Sequence, residues 1–574
     1  MLAPVEGRED HQRWLATSAR FVSHGVLWVT ILVPVVIELA HGWHPLGDDA
    51  AIAIRSFQVL SHHSPLLGLY SKASRSVAAP LYDLGPAPYW ILAIPVSLDH
   101  AHGLLWGSAL VCGAVLSLTV EALWRTRVRA GVLLVAFLVV DLAWRAPGVL
   151  INPEWNAYFG LVFLVASVAL AWAVAEGSLN WWPLLVLTGS VAAQSHLVFA
   201  APALLLVVAS PVIRFVVDRS RTGLRWAVGG GVVGIVVWAL PVWQQLADHP
   251  GNMTQLLHAD NGLPTVGARF GLQSLAWASS PFPIWARSVP GDLGYPGAHS
   301  TASMIQSHSA LAGVAVLALL VVVALLAYRR GRTGLFSLSA VTLVLGVGLV
   351  VSFSAFPSDA ELQNLDYLVD SWWILGTLLW VVAGWVVVEV VTWELDRRRA
   401  VVAPAMSASM ASILLSDSPQ PVPREMQAPP PSRSAEGSAR RVSGPLWALG
   451  LLAVAVIGIV GWTQVASPPG LARTDQDEVA TVQRYFQSQV PRGPVAIEAV
   501  GPQLIDAAGI AWQLIGSGWS PGYSGGLATQ TTGLYRPVSR GWPTVVLTSD
   551  STAVENCLLH GTDCGSQVSI HRVP

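Results

Sequence analysis

The sequence predicts a polytopic α-helical membrane protein of about 10–12 spans, with a small α/β domain at its C-terminus. Of its 574 residues, 53% are hydrophobic and only 11% are charged, whereas a soluble domain carries about 25% charged residues. The charges gather in short clusters and leave apolar runs of about 18 residues or more, the length that crosses a bilayer. Residues 463–574 differ from the rest, because Gly, Ser and Pro turns there separate short apolar stretches, of which PVAIEAV and PTVVLTSD predict buried strands.

Arginine clusters orient the predicted spans, because cytoplasmic loops carry an excess of Lys and Arg. On this rule the polar loops that are rich in Trp, His and Asp lie outside the cell. The segment after residue 395 is rich in Pro, Ser and Ala and has no apolar periodicity, which is typical of disorder. The rule gives a cytoplasmic N-terminus (1–20), a transmembrane unit (21–395) with outer loops 41–85 and 247–308, a disordered cytoplasmic linker (396–443), a last span (444–462) and an outer domain (463–574).

Two predicted membrane segments are irregular. Residues 86–98 contain internal prolines, so we expect a broken or re-entrant helix before the full span at 103–123. Residues 182–211 begin and end on the same side, which predicts a hairpin of two short helices that meet near Gln194 and His196. The other predicted spans of the transmembrane unit are 21–40, 130–150, 157–175, 227–246, 309–328, 336–354 and 371–392.

Asp48 and Asp49 follow the first span directly, in the stretch GDDAAIAIRSF. Adjacent carboxylates repel each other, which raises the pKa of one of them and suits proton abstraction or the binding of a divalent cation. Acids in the first turn of a helix are also favourable because of the helix dipole. Both interpretations stay open. The apolar residues that follow predict an amphipathic helix lying on the membrane surface.

Three further stretches carry a resemblance to a known family. They are YDLGPAPYWILAIP at 82–95, AAQSHLVFAAPALLL at 192–206 and LPVWQQLADHPGNMTQLL at 240–257. Together with a first span that ends in an acidic pair, they resemble the GT-C superfamily of membrane glycosyltransferases, and in particular its actinobacterial arabinofuranosyl- and mannosyltransferases. The matches are scattered over roughly residues 20–400. The resemblance implies a GT-C-like fold and the use of polyprenyl-phosphate-linked sugars on the outer side of the membrane.

The resemblance also implies residue roles. An aspartate of the first outer loop acts as the base in one inverting step, which assigns that role to Asp49, with Asp48 as the alternative. The family usually has an aspartate as a second acid in the next outer loop, where this chain has a glutamate. A simple turn explains the sequence at 258–262 as well as an acceptor site does. The candidates for the second acid and for acceptor contacts are Glu154, Asn152, His258 and Asp260.

A donor phosphate needs cations or N–H donors near the outer headgroup level. A histidine beside apolar helices is commonly a satisfied core residue, and this alternative stays open. Gln194 and His196 are favoured because they lie where two short helices meet, and helix ends offer free N–H groups to anions. The candidates are His196, Gln194, His62, His63, Lys72 and Arg75.

The sequence contains no P-loop, Rossmann fingerprint, CxxC pair or HExxH motif, and its net charge of −2 gives no argument for nucleic-acid binding. No cofactor is predicted with certainty. A divalent cation (Mg²⁺, Mn²⁺ or Ca²⁺) at Asp48, Asp49 and Glu154 is left open. Cys557 and Cys564 predict a short-loop disulfide if their domain lies outside the cell.

The predicted function is therefore that of a glycosyltransferase in a bacterial plasma membrane, with its active site and C-terminal domain outside. Its expected partners are a polyprenyl-phosphate-linked sugar, an envelope polysaccharide or glycolipid acceptor, and membrane lipids. The resemblance favours arabinofuranose as the sugar, with mannose second. Two alternatives stay open: a transporter or flippase of lipid-linked glycans, which the broken helices allow, and a non-catalytic protein of envelope assembly.

Overall fold

The computed structural model describes residues 6–40, 42–71, 80–125, 135, 155–218, 223–258, 265–280, 301–356, 366–414, 479, 482–484, 486–488, 490–499, 504–523, 543–549 and 566–572. The helices are, in chain order, α1 (Glu6–Ala40), α2 (Gly47–Gln58), α3 (Ala87–Leu98), α4 (Gly103–Trp124), α5 (Asn156–Ala175), α6 (Trp182–Ser195), α7 (Ala200–Val217), α8 (Leu224–Ala247), α9 (Asn252–His258), α10 (Gly267–Ala278), α11 (Thr301–Gln306), α12 (Ala310–Arg329), α13 (Thr333–Ser354), α14 (Asp366–Leu414) and α15 (Leu504–Gly516). Short 3₁₀ helices cover Leu179–Trp181 and Leu197–Phe199.

Within these described ranges, 8 helical segments are long and apolar enough to cross a membrane. This confirms the predicted fold class of a polytopic helical membrane protein. The predicted spans agree with the structure to within a few residues. The predicted spans at 130–150 and 444–462 lie outside the described residues, apart from residue 135. The eight segments are Arg20–Ala40, Gly103–Trp124, Asn156–Ala175, Leu197–Val217, Arg225–Ala247, Ala310–Arg329, Thr333–Ser354 and Val369–Leu395.

The structure confirms the broken helix before α4 and the hairpin, but the second helix of the hairpin is not short: with its 3₁₀ turn it covers Leu197–Val217, long enough to cross a membrane. Helix α3 has only 12 residues and contains Pro95, too few at 1.5 Å per residue to cross the bilayer alone. Helices α6 and α7 form the expected hairpin: the Trp182 indole N–H donates to the Val207 carbonyl oxygen at 3.0 Å. A Cβ atom on Gly189 would lie 2.6 Å from the Val207 side chain, so glycine is what allows the two helices to approach so closely.

The segment predicted as a linker from residue 396 is helical at its start, because α14 continues to Leu414. The residues there include five Ala, three Arg and two Met, which are strong helix formers. The rest of the predicted linker lies outside the described residues.

Helix α5 is the centre of the bundle. All its residues from Asn156 to Ala175 are buried, and it packs against α4, α6, α7 and α13. A helix that is apolar all round and wholly covered belongs inside a bundle. By contrast, only 11% of the apolar window of α8 is buried, so the outer surface of α8 is left for lipid.

The C-terminal domain is an α/β unit, as predicted. Its strands are β1 (Pro494–Ala499), β2 (Ser520–Tyr523), β3 (Pro543–Ser549) and β4 (Ser566–Arg572), and the sheet order is β2-β1-β3-β4. Strand β1 is parallel to β2 and β3, and β4 is antiparallel to β3. Strands β1 and β3 were expected from their apolar sequences, whereas β2, β4 and α15 were not.

Helix α2 forms where the amphipathic pattern predicts it, but its apolar face packs against protein, whereas the pattern predicted a contact with lipid. Its apolar residues Ile52 and Ile54 are each only 1% exposed. Helix α3 covers one side of α2, and α15 of the C-terminal domain covers another. The apolar face that suggested a lipid contact is therefore a protein contact, made by a segment from the far end of the chain.

Candidate active site

The acidic pair occupies the first turn of α2 without capping it. The N-cap residue is Leu46, and no side chain caps this helix end. The backbone N–H groups of Asp49 and Ala50 both donate to the Leu46 carbonyl oxygen, at 2.9 and 3.2 Å. The helix dipole favours acids here, but the carboxylates remain available for contacts outside the helix.

Asp48 and Asp49 have different surroundings. The Trp155 indole N–H, at the start of α5, donates to Oδ2 of Asp48 at 3.1 Å. Asp49 is half-buried. Loss of water around its carboxyl group, with the negative charge of Asp48 adding to the effect, holds the pKa of Asp49 well above its usual range. One acid is thus held by a hydrogen bond, and its neighbour has the raised pKa of a candidate proton acceptor.

A third carboxylate, Asp83, is only 4% exposed. Its Oδ1 accepts from the Leu197 backbone N–H at 3.0 Å, and its Oδ2 accepts from the Asn156 side-chain amide at 3.1 Å. The same amide nitrogen donates to the Ser195 carbonyl oxygen at 3.0 Å. Asp83 therefore ties the loop before α3 to the start of α5 and to the turn between α6 and α7.

Burial raises the pKa of Asp83 well above its usual range; the two hydrogen bonds oppose this effect and the charge of Asp48 adds to it. Asp83 lies in the stretch YDLGPAPYWILAIP, but it was not among the predicted site residues. The available signal was an acidic residue in an apolar stretch that opens a broken helix, a position that is commonly functional.

Tyr89 and Arg55 complete this cluster. The Tyr89 side chain is 2% exposed, and its hydroxyl has no hydrogen-bond partner within the described residues. Nε of Arg55 is likewise buried without such a partner. Tyr89 borders a small cavity, with room for about one water molecule, that Ile52 of α2 and Asn156 of α5 also line.

Gln194 and His196 lie at the turn that Asp83 holds. The Gln194 side chain is fully buried, its Oε1 accepts from the Ala87 N–H at 3.1 Å, and its Nε2 donates to the Val237 carbonyl oxygen at 3.1 Å. Nδ1 of His196 accepts from the Val198 N–H at 3.3 Å. The structure thus brings both residues to the acidic cluster, and the Gln194 amide already joins α3, α6 and α8.

The other predicted site residues are spread more widely. His62 and His63 are exposed just after α2. His258 is exposed at the end of α9, where its Nδ1–H donates to the Thr254 carbonyl oxygen at 2.7 Å. Asn252, in the same short helix, exchanges two hydrogen bonds of 3.0 Å with the backbone of Tyr82, next to Asp83. The predicted residues that lie outside the described ranges are Lys72, Arg75, Asn152, Glu154, Asp260, Cys557 and Cys564.

Within the described part of the chain, no group of three or more His, Cys, Asp and Glu residues is arranged to hold a metal ion. Glu154, the third candidate ligand, lies outside that part. A divalent cation at Asp48 and Asp49 therefore stays a prediction.

No protein-family model matches this chain, and no curated protein matches its sequence. Its fold is similar to the crystal structure of ArnT from Cupriavidus metallidurans bound to undecaprenyl phosphate, with a TM-score of 0.46, 16% identity, and coverage of 96% of this chain and 97% of that one. The apo state of the same protein gives a TM-score of 0.43 and 15% identity, over 94% and 97% of the two chains. At this level of similarity no residue role is carried over.

Proposed function

We propose that this protein is an integral-membrane glycosyltransferase of the GT-C type, which transfers a sugar from a polyprenyl-phosphate donor to a cell-envelope acceptor. One observation carries the proposal: Asp48, Asp49 and Asp83 come together from two segments at one end of an apolar helix bundle, beside Arg55. Ionisable groups at such a place are costly and are found mainly at functional sites. The GT-C-like sequence stretches support the donor class.

The proposed reaction is a single displacement. Asp49 takes the proton of an acceptor hydroxyl, whose oxygen forms a bond to the anomeric carbon of the sugar. The bond between that carbon and the phosphate oxygen breaks, and polyprenyl phosphate leaves with the electron pair, which inverts the anomeric centre. The raised pKa of Asp49 suits a general base. Asp48, which accepts a hydrogen bond from the Trp155 indole N–H, lies next to it in the chain.

The finer specificity follows from the sequence resemblance alone. Arabinofuranose is the first choice of sugar and mannose the second, with an envelope polysaccharide or glycolipid as acceptor. The distribution of arginines supports an extracytoplasmic site in a bacterial plasma membrane.

A transporter of lipid-linked glycans is the second candidate. The short helices α3 and α6 favour it, because helices that end within the membrane commonly line transport sites. The test must therefore separate movement of the donor from transfer of its sugar.

The test uses the purified full-length protein with Asp48→Asn, Asp49→Asn and wild type in parallel. Each is incubated with synthetic polyprenyl-phospho-arabinofuranose or polyprenyl-phospho-mannose and an oligosaccharide acceptor, and product is measured by mass spectrometry. Glu394→Gln, a half-buried acid of α14 that pairs with Arg398, is the matched control. We expect transfer by wild type and by the control, and a loss of about 100-fold or more in Asp49→Asn.

Equal activity in wild type and Asp49→Asn would reject the catalytic role of Asp49. Movement of the donor across proteoliposomes without any sugar transfer would favour the transporter. A folded wild type that does neither would favour a non-catalytic role in envelope assembly.

A further inference from the structure

A cavity of about 500 Å³ lies where α7 and α12 end and α13 begins, a volume typical of ligand pockets. It is lined by Val216, Val217, Tyr328, Arg329, Gly331 and Thr333. Helix α7 and its 3₁₀ turn cover 21 residues, from Leu197, which bonds to Asp83, to Val217 at the cavity. At 1.5 Å per residue this is roughly 30 Å, the thickness of the hydrocarbon core of a bilayer. The cavity therefore lies at the opposite membrane surface from the acidic cluster.

A glycine turn fixes the wall of the cavity that carries an arginine. Gly331 has a φ of 67°, in the left-handed region that favours glycine. Its N–H donates to the Tyr328 carbonyl oxygen at 3.0 Å, and the Arg332 N–H donates to the Ala327 carbonyl oxygen at 2.9 Å. This pair of bonds satisfies carbonyl groups at the end of α12. The turn therefore holds Tyr328 and Arg329 in place at the cavity.

The side chains around this end of the bundle leave an excess of positive charge. Three acids here already have partners: Glu389 pairs with Arg332 at 3.0 Å, Asp218 pairs with Arg214 at 3.9 Å, and Glu176 accepts from the Ser337 hydroxyl. Arg329 and Arg330 are exposed, and neither forms an ion pair with any residue that the structure describes. Two positive charges, one of them at the cavity itself, are thus left for an anion.

Two exposed apolar stripes run from the cavity along α7 and α12. Residues spaced by three, four or seven lie on one face of a helix, so each stripe continues the face that borders the cavity. Helix α13 packs against both α7 and α12, which lie on either side of it without packing closely on each other. A groove with apolar walls therefore leads from the cavity into the membrane. The stripes are Val208, Val212 and Val216 on α7, and Val314, Val321, Leu325 and Tyr328 on α12.

Positive charge at the mouth of an apolar groove selects a ligand with an anionic head and long apolar chains. The guanidinium group of Arg329 suits phosphate oxygens, because its N–H donors form a planar set. A zwitterionic lipid would bring a cation of its own toward Arg329 and Arg330. A free phosphate ion would leave both apolar stripes uncovered. An arginine-rich end faces the cytoplasm, and the cytoplasmic leaflet is the one in which anionic lipids give a negative surface potential.

We propose that this cavity binds the headgroup of an anionic glycerophospholipid from the cytoplasmic leaflet. Arg329 contacts the phosphate, Arg330 adds positive charge nearby, and the acyl chains lie in the groove between α7 and α12. The bound lipid fills a space that these two helices leave open and so joins them across α13. The site does not depend on the proposed function, because none of its residues belongs to the acidic cluster.

The test measures lipid binding to the full-length protein in detergent by native mass spectrometry. The probe is dioleoyl phosphatidylglycerol, and the comparison ligands are dioleoyl phosphatidylethanolamine and inorganic phosphate. One variant is Arg329→Gln, and a second combines it with Arg330→Gln. The matched control combines Arg397→Gln with Arg398→Gln, which removes two positive charges from α14, where both arginines pair with Glu394.

A second pair of variants tests the groove without changing any charge. Val216→Trp places a bulky side chain at the cavity, where Val216 is 40% exposed. Val236→Trp is its control, because Val236 is 69% exposed on α8 and does not border the cavity. Thermal unfolding of each variant in detergent shows that it is folded.

We expect wild type to bind one phosphatidylglycerol more tightly than phosphatidylethanolamine, and millimolar inorganic phosphate should not displace it. Each arginine near an anionic lipid contributes about 5-fold to affinity. Arg329→Gln should therefore weaken binding by about 5-fold, and the double variant with Arg330→Gln by about 30-fold. The double control on α14 should bind as wild type does. Val216→Trp should abolish the binding of this lipid, whereas Val236→Trp should not change it.

Equal losses in the two double variants would overturn the proposal, because they would show a general attraction between the lipid and positive charge. Unchanged binding in Val216→Trp would remove the groove as the site. Equal affinity of wild type for the two lipids would overturn the choice of an anionic headgroup, and displacement by inorganic phosphate would identify a free anion as the ligand. The comparison of the two lipids uses wild type alone, so it decides the headgroup even where a variant is unstable.

Discussion

His100 and Trp512, which are 412 positions apart in the chain, bond to each other in both directions. The His100 Nε2–H donates to the Trp512 carbonyl oxygen at 2.9 Å, and the Trp512 indole N–H donates to the His100 carbonyl oxygen at 3.1 Å. Their rings stack with centroids 3.6 Å apart, and Phe57 of α2 meets both rings edge-on. The C-terminal domain is thus fastened to the helix that carries the acidic pair, close to Arg55.

Trp512→Ala should loosen this attachment. Trp512 is 1% exposed, and removing a buried tryptophan costs about 3–5 kcal/mol. We expect faster hydrogen exchange in residues 47–58 and 504–516, measured by mass spectrometry, together with a lower unfolding temperature. Trp243→Ala is the control, because Trp243 is 63% exposed on α8 and its loss should leave both segments as protected as in wild type. Unchanged exchange in Trp512→Ala would mean that other contacts hold α2 in place.

The helical framework could be predicted because hydropathy and arginine placement are both properties of local sequence. The hairpin α6–α7 and the short helix α3 followed from the same reasoning, as did strand β3 from the apolar run in PTVVLTS. Strand β2 could not be predicted, because the sequence SPGY holds a proline and a glycine and no alternation of apolar residues.

Within the candidate site, sequence reasoning found the acidic pair but not the contacts that organise it. Asp48 and Asp49 are visible as neighbours in the chain. The carboxylate of Asp83 is held by hydrogen bonds from Leu197 and Asn156, which lie 114 and 73 positions away. The burial of α2 depends in the same way on α15. These long-range contacts depend on how the helices pack, and no local sequence pattern predicts them.

Asp83→Asn should destabilise the protein although it keeps the shape of the side chain. Both donors that face Asp83 are N–H groups, so the amide nitrogen of the new side chain would meet a donor in place of an acceptor. A protonated aspartic acid avoids this problem, since each of its oxygens can still accept. We expect a loss of about 1–3 kcal/mol, measured as thermal unfolding in detergent.

Two further variants check that explanation. Asp248→Asn is the control, because Asp248 lies in an exposed stretch after α8 and an asparagine there can still accept from Gln244. The double variant Asp83→Asn with Asn156→Asp restores a donor facing an acceptor, so it should lose less stability than the two single variants combined. Strict additivity of the two losses would show that the pair is not coupled.

Gly85→Ala should disturb the two hydrogen bonds by which Gln194 joins Ala87 to Val237. A Cβ atom at position 85 would lie 2.6 Å from Cδ of Gln194 and 2.7 Å from Cγ of Pro241. Because Gln194 is buried and bonded at both ends, it cannot move aside without losing a hydrogen bond. We expect a loss of about 1–3 kcal/mol from overpacking, read as a lower unfolding temperature.

Gly231→Ala is the matched control for that substitution. Position 231 lies within α8, and a Cβ atom there would meet nothing within 4 Å. Alanine favours the helix over glycine by about 1 kcal/mol, so Gly231→Ala should be neutral or slightly stabilising. Equal effects of the two substitutions would contradict the close packing of Gly85 against Gln194.

The acid limb of the pH–activity profile should report the raised pKa of Asp49. A base must be deprotonated, so kcat/KM should fall as the pH drops through the pKa of Asp49, at a higher pH than the ~3.9 of an exposed aspartate. Burial and the charge of Asp48 both raise that pKa, so Asp48→Asn should move the limb of its residual activity to lower pH. The free energy of unfolding should also depend on the ionisation of Asp49. Because its pKa is raised in the native state, the native state binds this proton more tightly than the unfolded state does. Wild type should therefore lose stability relative to Asp49→Asn as the pH rises from ~3.9 through the folded pKa. Glu394→Gln should leave the limb where it is. An acid limb that does not move in Asp48→Asn would mean that the rate is controlled by a group on which the charge of Asp48 does not act, which excludes both Asp49 and Asp83.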